Sequence, residues 1–260
     1  MKRYLIALLL TTTCFSTAFA QEQLNDPAFK SGEKLSYKLK YGIFTAAEAH
    51  MRVEDSPVKF NNQPGYHIII DGNTAGTFDV FYKVRNRYES FIDQKTLQPN
   101  FYTENRKEGG YKHTDKVTFD HDKNNIKADK GNFPFEGKVF DFVSSYYFAR
   151  CLDISKVKIG EKIELRYFLE DGIHALTITY MGKERVKCSL GTFNCLKFNP
   201  TIIPGRIFRK DSKLYLWITD DNNRIPIKAH VEVVVGSLTM DLTSVSGLKY
   251  PLNPVSKETD

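Results

Sequence analysis

Period-two alternation of apolar and polar residues recurs along this chain, broken by short runs of turn-forming residues. It constrains the fold more than any other feature. Leu214, Leu216 and Ile218 alternate with Tyr215, Trp217 and Thr219, so that one face is aliphatic and the other largely aromatic. A polar turn, Asp220 to Asn223, leads into Ile225, Ile227, Ala229 and Val231, which alternate with Pro226, Lys228, His230 and Glu232. Pro226 has no N–H to give a ladder, so it belongs at the start of its strand or on an edge. Leu35, Tyr37, Leu39 and Tyr41 share a face opposite Lys34, Ser36, Lys38 and Lys40. Ala47 to Val53 and Ile163 to Leu169 alternate likewise, and Tyr66 to Asp71, Arg85 to Ile92, Asn100 to Arg106, Tyr111 to Phe119, Ile173 to Tyr180 and Leu238 to Val245 also read as strands. Glu108-Gly109-Gly110, Asp171-Gly172 and Gly191-Thr192 read as hairpin turns. The last of these places Cys188 opposite Cys195, within reach of a disulfide. Thr77 to Val84 fits a short helix or a strand.

One segment changes period. From Val139 to Cys151, Phe140, Val143, Tyr147 and Cys151 recur at helical steps, with Phe142 and Tyr146 beside them. Asp141 stands where an N-cap is wanted. The expected fold is therefore mainly β: a large curved antiparallel sheet or incompletely closed β-barrel, with one principal helix at about 139–151 packed against it. No linker demands a second domain, so residues 21–250 read as one unit and 251–260, with Pro251 and Pro254, as a loose tail.

The first twenty residues read as a targeting segment. Lys2 and Arg3 precede the apolar run Tyr4 to Leu10, and Ala18-Phe19-Ala20 fits a small-x-small cleavage site. Cleavage after Ala20 would leave a mature chain starting at Gln21. The run is too short for a transmembrane anchor, and no later stretch is long enough. Cys14 follows Thr12 and Thr13, which do not suit lipoprotein processing. The expected location is the periplasm. The formal charge of +6 falls to +4 without Lys2 and Arg3, with basic and acidic residues intermixed. That reads as a solvated surface, and nucleic acid is not an expected partner.

No G-x-S-x-G, P-loop or C-x-x-C pattern occurs, and the six His are dispersed without ligand spacing. Asp120 to Asn124 begins like a calcium loop, but Asn125 stands where Gly is needed and Gly131 where Glu is needed. Catalytic residues, metal ligands and cofactors are thus expected to be absent. Aromatic residues make up 13% of the chain. Among them Phe78, Phe81, Tyr82, Tyr146, Tyr147, Phe148 and Trp217 are candidates to line an apolar pocket, with a packed core as the other reading.

Five motifs in order carry a family resemblance. They are Gly32-Glu33-x-Leu35-x-Tyr37; Arg87-x-x-Ser90-x-x-Asp93-x-x-Thr96-Leu97-x-Pro99; Asp141-x-x-Ser144-x-Tyr146-Tyr147-x-x-Arg150; Gly191-Thr192-Phe193; and Trp217-Ile218-Thr219-Asp220-Asp221-x-x-Arg224-Ile225-Pro226. The chain resembles the family catalogued as domain of unknown function 3108, exported proteins of Gram-negative bacteria. The resemblance implies compartment and fold and brings no catalytic residues with it. At the level of fold the chain is also similar to periplasmic lipoprotein carriers, in which a curved sheet wraps an apolar cavity partly covered by helices. Two functions follow as expectations. One is a non-enzymatic periplasmic carrier of lipid or another apolar small molecule. The other is a structural or protein-interaction module of the cell envelope, with no ligand.

Overall fold

The computed structural model describes residues 26–202 and 212–255. Residues 1–25, with the proposed cleavage site, lie outside them, as do 256–260. Among the described residues the alternating segments form fourteen antiparallel strands of one sheet. In chain order they are β1 (Lys34–Tyr41), β2 (Phe44–Asp55), β3 (Gly65–Thr74), β4 (Val84–Asp93), β5 (Pro99–Glu108), β6 (Tyr111–Asp120), β7 (Asn125–Ala128), β8 (Gly131–Pro134), β9 (Lys162–Leu169), β10 (Gly172–Cys188), β11 (Gly191–Pro200), β12 (Leu214–Thr219), β13 (Pro226–Glu232) and β14 (Ser237–Ser246). Their spatial order runs β8 to β1, then β14 down to β9. The first and last strands thus pair at the middle, β1 on β14, and every other neighbour is a hairpin partner.

The sheet curls without closing, because β8 and β9 are not paired. The chain between them fills the gap. Phe140 bonds to β9 on both sides, its N–H donating to the Arg166 carbonyl at 2.9 Å and its carbonyl accepting from Phe168 N–H at 2.8 Å. Helix α2 (Phe142–Arg150) follows, within the segment whose period changes. Its start is a capping box. Asp141 Oδ1 accepts from the Val143 and Ser144 amides at 2.8 Å each, and the Asp141 amide donates to Ser144 Oγ at 2.9 Å. The other carboxylate oxygen accepts from Ser90 Oγ on β4 at 2.6 Å, which ties the helix start to the sheet. Thr77 to Val84 resolves into the short helix α1 (Gly76–Phe81) and the start of β4.

Burial divides the interior. The main cluster packs Val143, Tyr147 and Phe148 of α2 and Cys151 just after it against Val53, Ile68, Ile92, Val117 and Ile126 of the sheet, with Phe29 and Phe140. A second cluster joins Leu35, Tyr37, Val186, Phe193, Trp217, Ile227 and Leu242, where the far half of β10 folds against β13 and β14. Gly247 (φ +66°) closes the domain, since its backbone passes so near the Gly32 carbonyl that no Cβ would fit.

Two hairpins turn earlier than their glycines suggest. Leu169 pairs with Gly172, and Cys188 pairs with Gly191, so the turns are Glu170-Asp171 and Ser189-Leu190. In each case glycine opens the return strand. The disulfide expectation is corrected by that shift: Cys195 pairs with Glu184 and not with Cys188. Both are free thiols, buried in the second cluster with Val186 and Phe193. The tail is also less loose than expected as far as it is described. Leu252 packs on the second cluster, and Val255 N–H donates to the Thr192 carbonyl at 2.7 Å.

Candidate functional site

The curl leaves more room than α2 fills. Between the helix and the inner face of the sheet lies a cavity of about 590 Å³. One wall is Ala49, Met51 and Ile70 of β2 and β3. The opposite wall is Ile163, Leu176, Ile178, Leu216 and Ile218 of β9, β10 and β12, and Phe142, Tyr146 and Ala149 of α2 form the cover. The aliphatic side of the Leu214–Thr219 alternation is therefore the cavity side. A bulge helps shape it. The register shifts between Trp217, opposite Lys228, and Ile218, opposite Pro226, so Pro226 opens β13 without breaking a ladder and faces the cavity. An open depression on the outside, near Lys183, Arg185, Asn194 and Asp220, is polar, with Lys183 already paired to Asp220 at 2.6 Å.

The polar residues of the cavity wall include Tyr37, Tyr146, Arg150 and Arg224. Arg150, on the last turn of α2, is held from two directions. Its Nη1 and Nη2 donate to Glu33 Oε1 and Oε2 at 2.6 and 2.9 Å, and its Nε and Nη2 donate to the Asn223 carbonyl at 3.2 and 2.8 Å. Phe29, Tyr146 and Tyr147 surround the guanidinium with ring centroids 5.1–5.8 Å from it. Burial, the largest single influence, draws its pKa down, but the charge and hydrogen bonds of Glu33 together with the neighbouring Tyr146 and Tyr147 outweigh it and hold it well above the usual arginine value. Near this pair the hydroxyls of Tyr37 and Tyr146 are buried and have no hydrogen-bond partner. Burial raises both phenol pKa values.

Asn223 and Arg224 belong to the polar turn after β12. Thr219 Oγ1 donates to Asp221 Oδ1 at 2.6 Å, and the same oxygen accepts from the Asn223 and Arg224 amides at 2.9 and 3.1 Å. Asn223 exchanges bonds with the Tyr250 backbone, each at 3.1 Å. So fixed, the turn holds Arg224 in the left-handed region (φ +50°), uncommon for a residue with a long side chain.

The residues proposed from sequence separate. Tyr146 lines the cavity. Tyr147 and Phe148, both 0% exposed, lie in the solid main cluster instead, Tyr147 edge-on to Phe29 at 4.8 Å. Trp217 is on the face of β12 turned away from the cavity, buried in the second cluster, and its Nε1 donates to Glu184 Oε2 at 3.0 Å. Phe78, Phe81 and Tyr82 sit on or just after α1, with Phe81 83% exposed and Phe78 edge-on to Tyr41. None of these last three is in the cavity wall, which is built mostly from aliphatic strand residues. Arg224 was not among the residues singled out, although it stands in the fifth motif. Among the described residues no three His, Cys, Asp or Glu side chains come together as a metal site would need. Nor is any helix long and apolar enough to cross a membrane.

Comparison with known proteins agrees with this geometry. The family profile "Protein of unknown function (DUF3108)" matches residues 36–243, and the chain belongs to that family. Among solved structures, it is similar to a β-barrel-like protein of domain of unknown function DUF1849 from Brucella abortus. The two are 12% identical, with a TM-score of 0.53, covering 84% of this chain and 98% of that one. A protein with a YmcC-like fold from Bacteroides fragilis matches at 12% identity and a TM-score of 0.35, over 86% of this chain and 99% of that one. No curated protein sequence matches.

Proposed function

We propose that this member of the DUF3108 family is an exported, non-catalytic protein of the Gram-negative envelope that holds an apolar molecule in its cavity. The observation that carries this reading is the cavity itself. Protein interiors are close-packed, with few voids larger than a water molecule. A space of about 590 Å³ with mainly aliphatic and aromatic walls is instead of the size of small-molecule sites, about 300–1,000 Å³. The sequence of residues 1–20 supports export, and the missing nucleophile, metal and phosphate motifs support a binder over an enzyme.

The test is native mass spectrometry with organic extraction of protein purified from its own host, followed by titration of the stripped protein with a fluorescent fatty-acid probe. A co-purifying lipid mass and saturable probe binding are expected. Ala49→Phe, which adds volume at the wall, should abolish both while leaving the circular dichroism spectrum unchanged. A clean apo mass with no probe binding would overturn the reading.

A second reading has its own observation. Ile43 on the β1–β2 turn, Val80 and Phe81 on α1, and Val235 on the β13–β14 turn are 71–88% exposed. These turns meet, since Tyr41 Oη donates to the Val235 carbonyl at 3.0 Å and the Tyr41 ring packs on Phe78. A group of bare apolar tips favours an envelope interaction module. Retained pull-down partners lost on Phe81→Ser, from a protein that binds no probe, would select it.

A further inference from the structure

The cavity wall contains one cation with nothing bonded to it. Among the described residues the Arg224 guanidinium forms no hydrogen bond and no ion pair, although burial lowers its pKa. Asp220, Asp153 and Asp221 act on it by charge, but among the described residues none of them bonds to it. Asp220 pairs with Lys183 at 2.6 Å. Asp221 Oδ1 receives Thr219 Oγ1 and two backbone amides. Asp153 accepts from the Ser155 amide at 2.9 Å. Five N–H donors on a partly dehydrated guanidinium are a costly thing to leave unmatched. The two unpartnered phenol hydroxyls in the same wall, Tyr37 and Tyr146, add to the unused polar capacity. Arg224 directly follows Asn223, whose carbonyl receives Arg150, so this capacity gathers at the end of α2. The rest of the wall is mainly hydrocarbon.

We infer that the cavity takes an amphiphile with an anionic head, a carboxylate or a phosphate ester on an apolar chain, with the head at Arg224. The inference rests on the cavity being a binding site. A guanidinium presents paired donors to the oxygens of either head group, and charge-assisted bonds of this kind are about twice as strong as neutral ones. The turn fixes the arginine backbone in place before any ligand arrives, so less ordering is left for binding to do.

The test uses the stripped mature protein and three ligands of equal chain length: dodecanoate, dodecyl phosphate and 1-dodecanol. Affinity is read by displacement of a fluorescent probe. Both anions should bind about tenfold or more tightly than the alcohol. Arg224→Gln should remove that preference while leaving alcohol binding and the urea midpoint unchanged, and Arg224→Lys should keep part of it. Tighter binding of dodecanoate than of dodecyl phosphate would point to free fatty acid as the source, and the reverse order to a phospholipid-type head. Equal affinity of all three for the wild type would overturn the inference and leave the cavity reading standing. An anion preference that survives in Arg224→Gln would overturn the assignment to Arg224. If none of the three binds, the cavity reading falls and this inference with it. Should Arg224→Gln fail to fold, the comparison of the three ligands on the wild type still decides.

Discussion

Arg150 and Glu33, 117 residues apart in the chain, meet as a two-bond ion pair with side chains 1% and 0% exposed. The pair fastens the last turn of α2 to the residue just before β1, and the Asn223 carbonyl completes the arginine's coordination. A buried pair of this kind adds little net stability, because both charges lose their hydration, but breaking it strands a charge in the interior.

Glu33→Gln should therefore destabilise the protein by about 3–5 kcal/mol. The double replacement Glu33→Leu with Arg150→Met should cost much less than the sum of the single changes. Urea unfolding of the four proteins in a double-mutant cycle checks this, and additive effects would refute it.

Tyr147 gives a paired prediction. Its ring is fully buried against Phe29, while its hydroxyl lies beside the Arg150 guanidinium without a well-formed hydrogen bond. Tyr147→Ala should cost about 3–5 kcal/mol. Tyr147→Phe should change stability by less than about 1 kcal/mol, since no good bond is lost. Equilibrium unfolding of both variants separates ring packing from hydroxyl chemistry.

Asp141 makes stability depend on pH. Burial pushes its pKa from 3.8 up to about 6, against the bonds from Ser90, Ser144 and Val143 that favour its charge. A carboxyl group with a raised folded-state pKa binds its proton more tightly when folded. Its stabilising effect is full below about pH 4 and is lost as pH rises through about 6. The wild type should lose up to about 3 kcal/mol relative to Asp141→Asn across that window. Asparagine keeps an acceptor for the two helix amides. Parallel unfolding curves for the two proteins from pH 4 to pH 7 would refute the assignment.

The thiols offer a chemical check on the β10–β11 register. With Cys195 opposite Glu184, all three described cysteines are free and buried. Native protein should react slowly with a thiol reagent, and denatured protein should release three thiols if it is cleaved after Ala20. Release of only one would restore the Cys188–Cys195 bridge.

Alternation made the strands legible. Lys34 to Tyr41 and Leu214 to Thr219 sit where period two puts them, because each has one wet or outer face and one inner face. The helix was legible from its change of period and from Asp141. The hairpin turns at Glu170-Asp171 and Ser189-Leu190 were not, since a glycine serves equally within a turn or just after it. The cavity was hidden for a different reason. Large aromatic rings are the conspicuous candidates for ligand-lining groups, but Tyr147 and Phe148 fill the solid core, and the empty space is bounded by leucines and isoleucines more than by aromatic rings. Such residues look the same in a sequence whether they touch one another or a void. The motif residues proved to be structural partners. Glu33 bonds to Arg150, Ser90 to Asp141, and Asp93 Oδ1 accepts from the Lys95 and Thr96 amides to set the turn before Pro99.

The unclosed seam between β8 and β9 bears on how the protein tolerates its own neighbours. An open sheet has two rims of unpaired peptide groups, and such rims recruit strands from other copies into aggregates. Here one rim is only the four residues Gly131–Pro134, ending in a proline that cannot donate. The other rim is occupied at its centre, where Phe140 takes up the Arg166 carbonyl and the Phe168 amide. Along β8 and β9 the fold can thus stay open enough to keep a hollow interior without offering a long template for edge-to-edge growth.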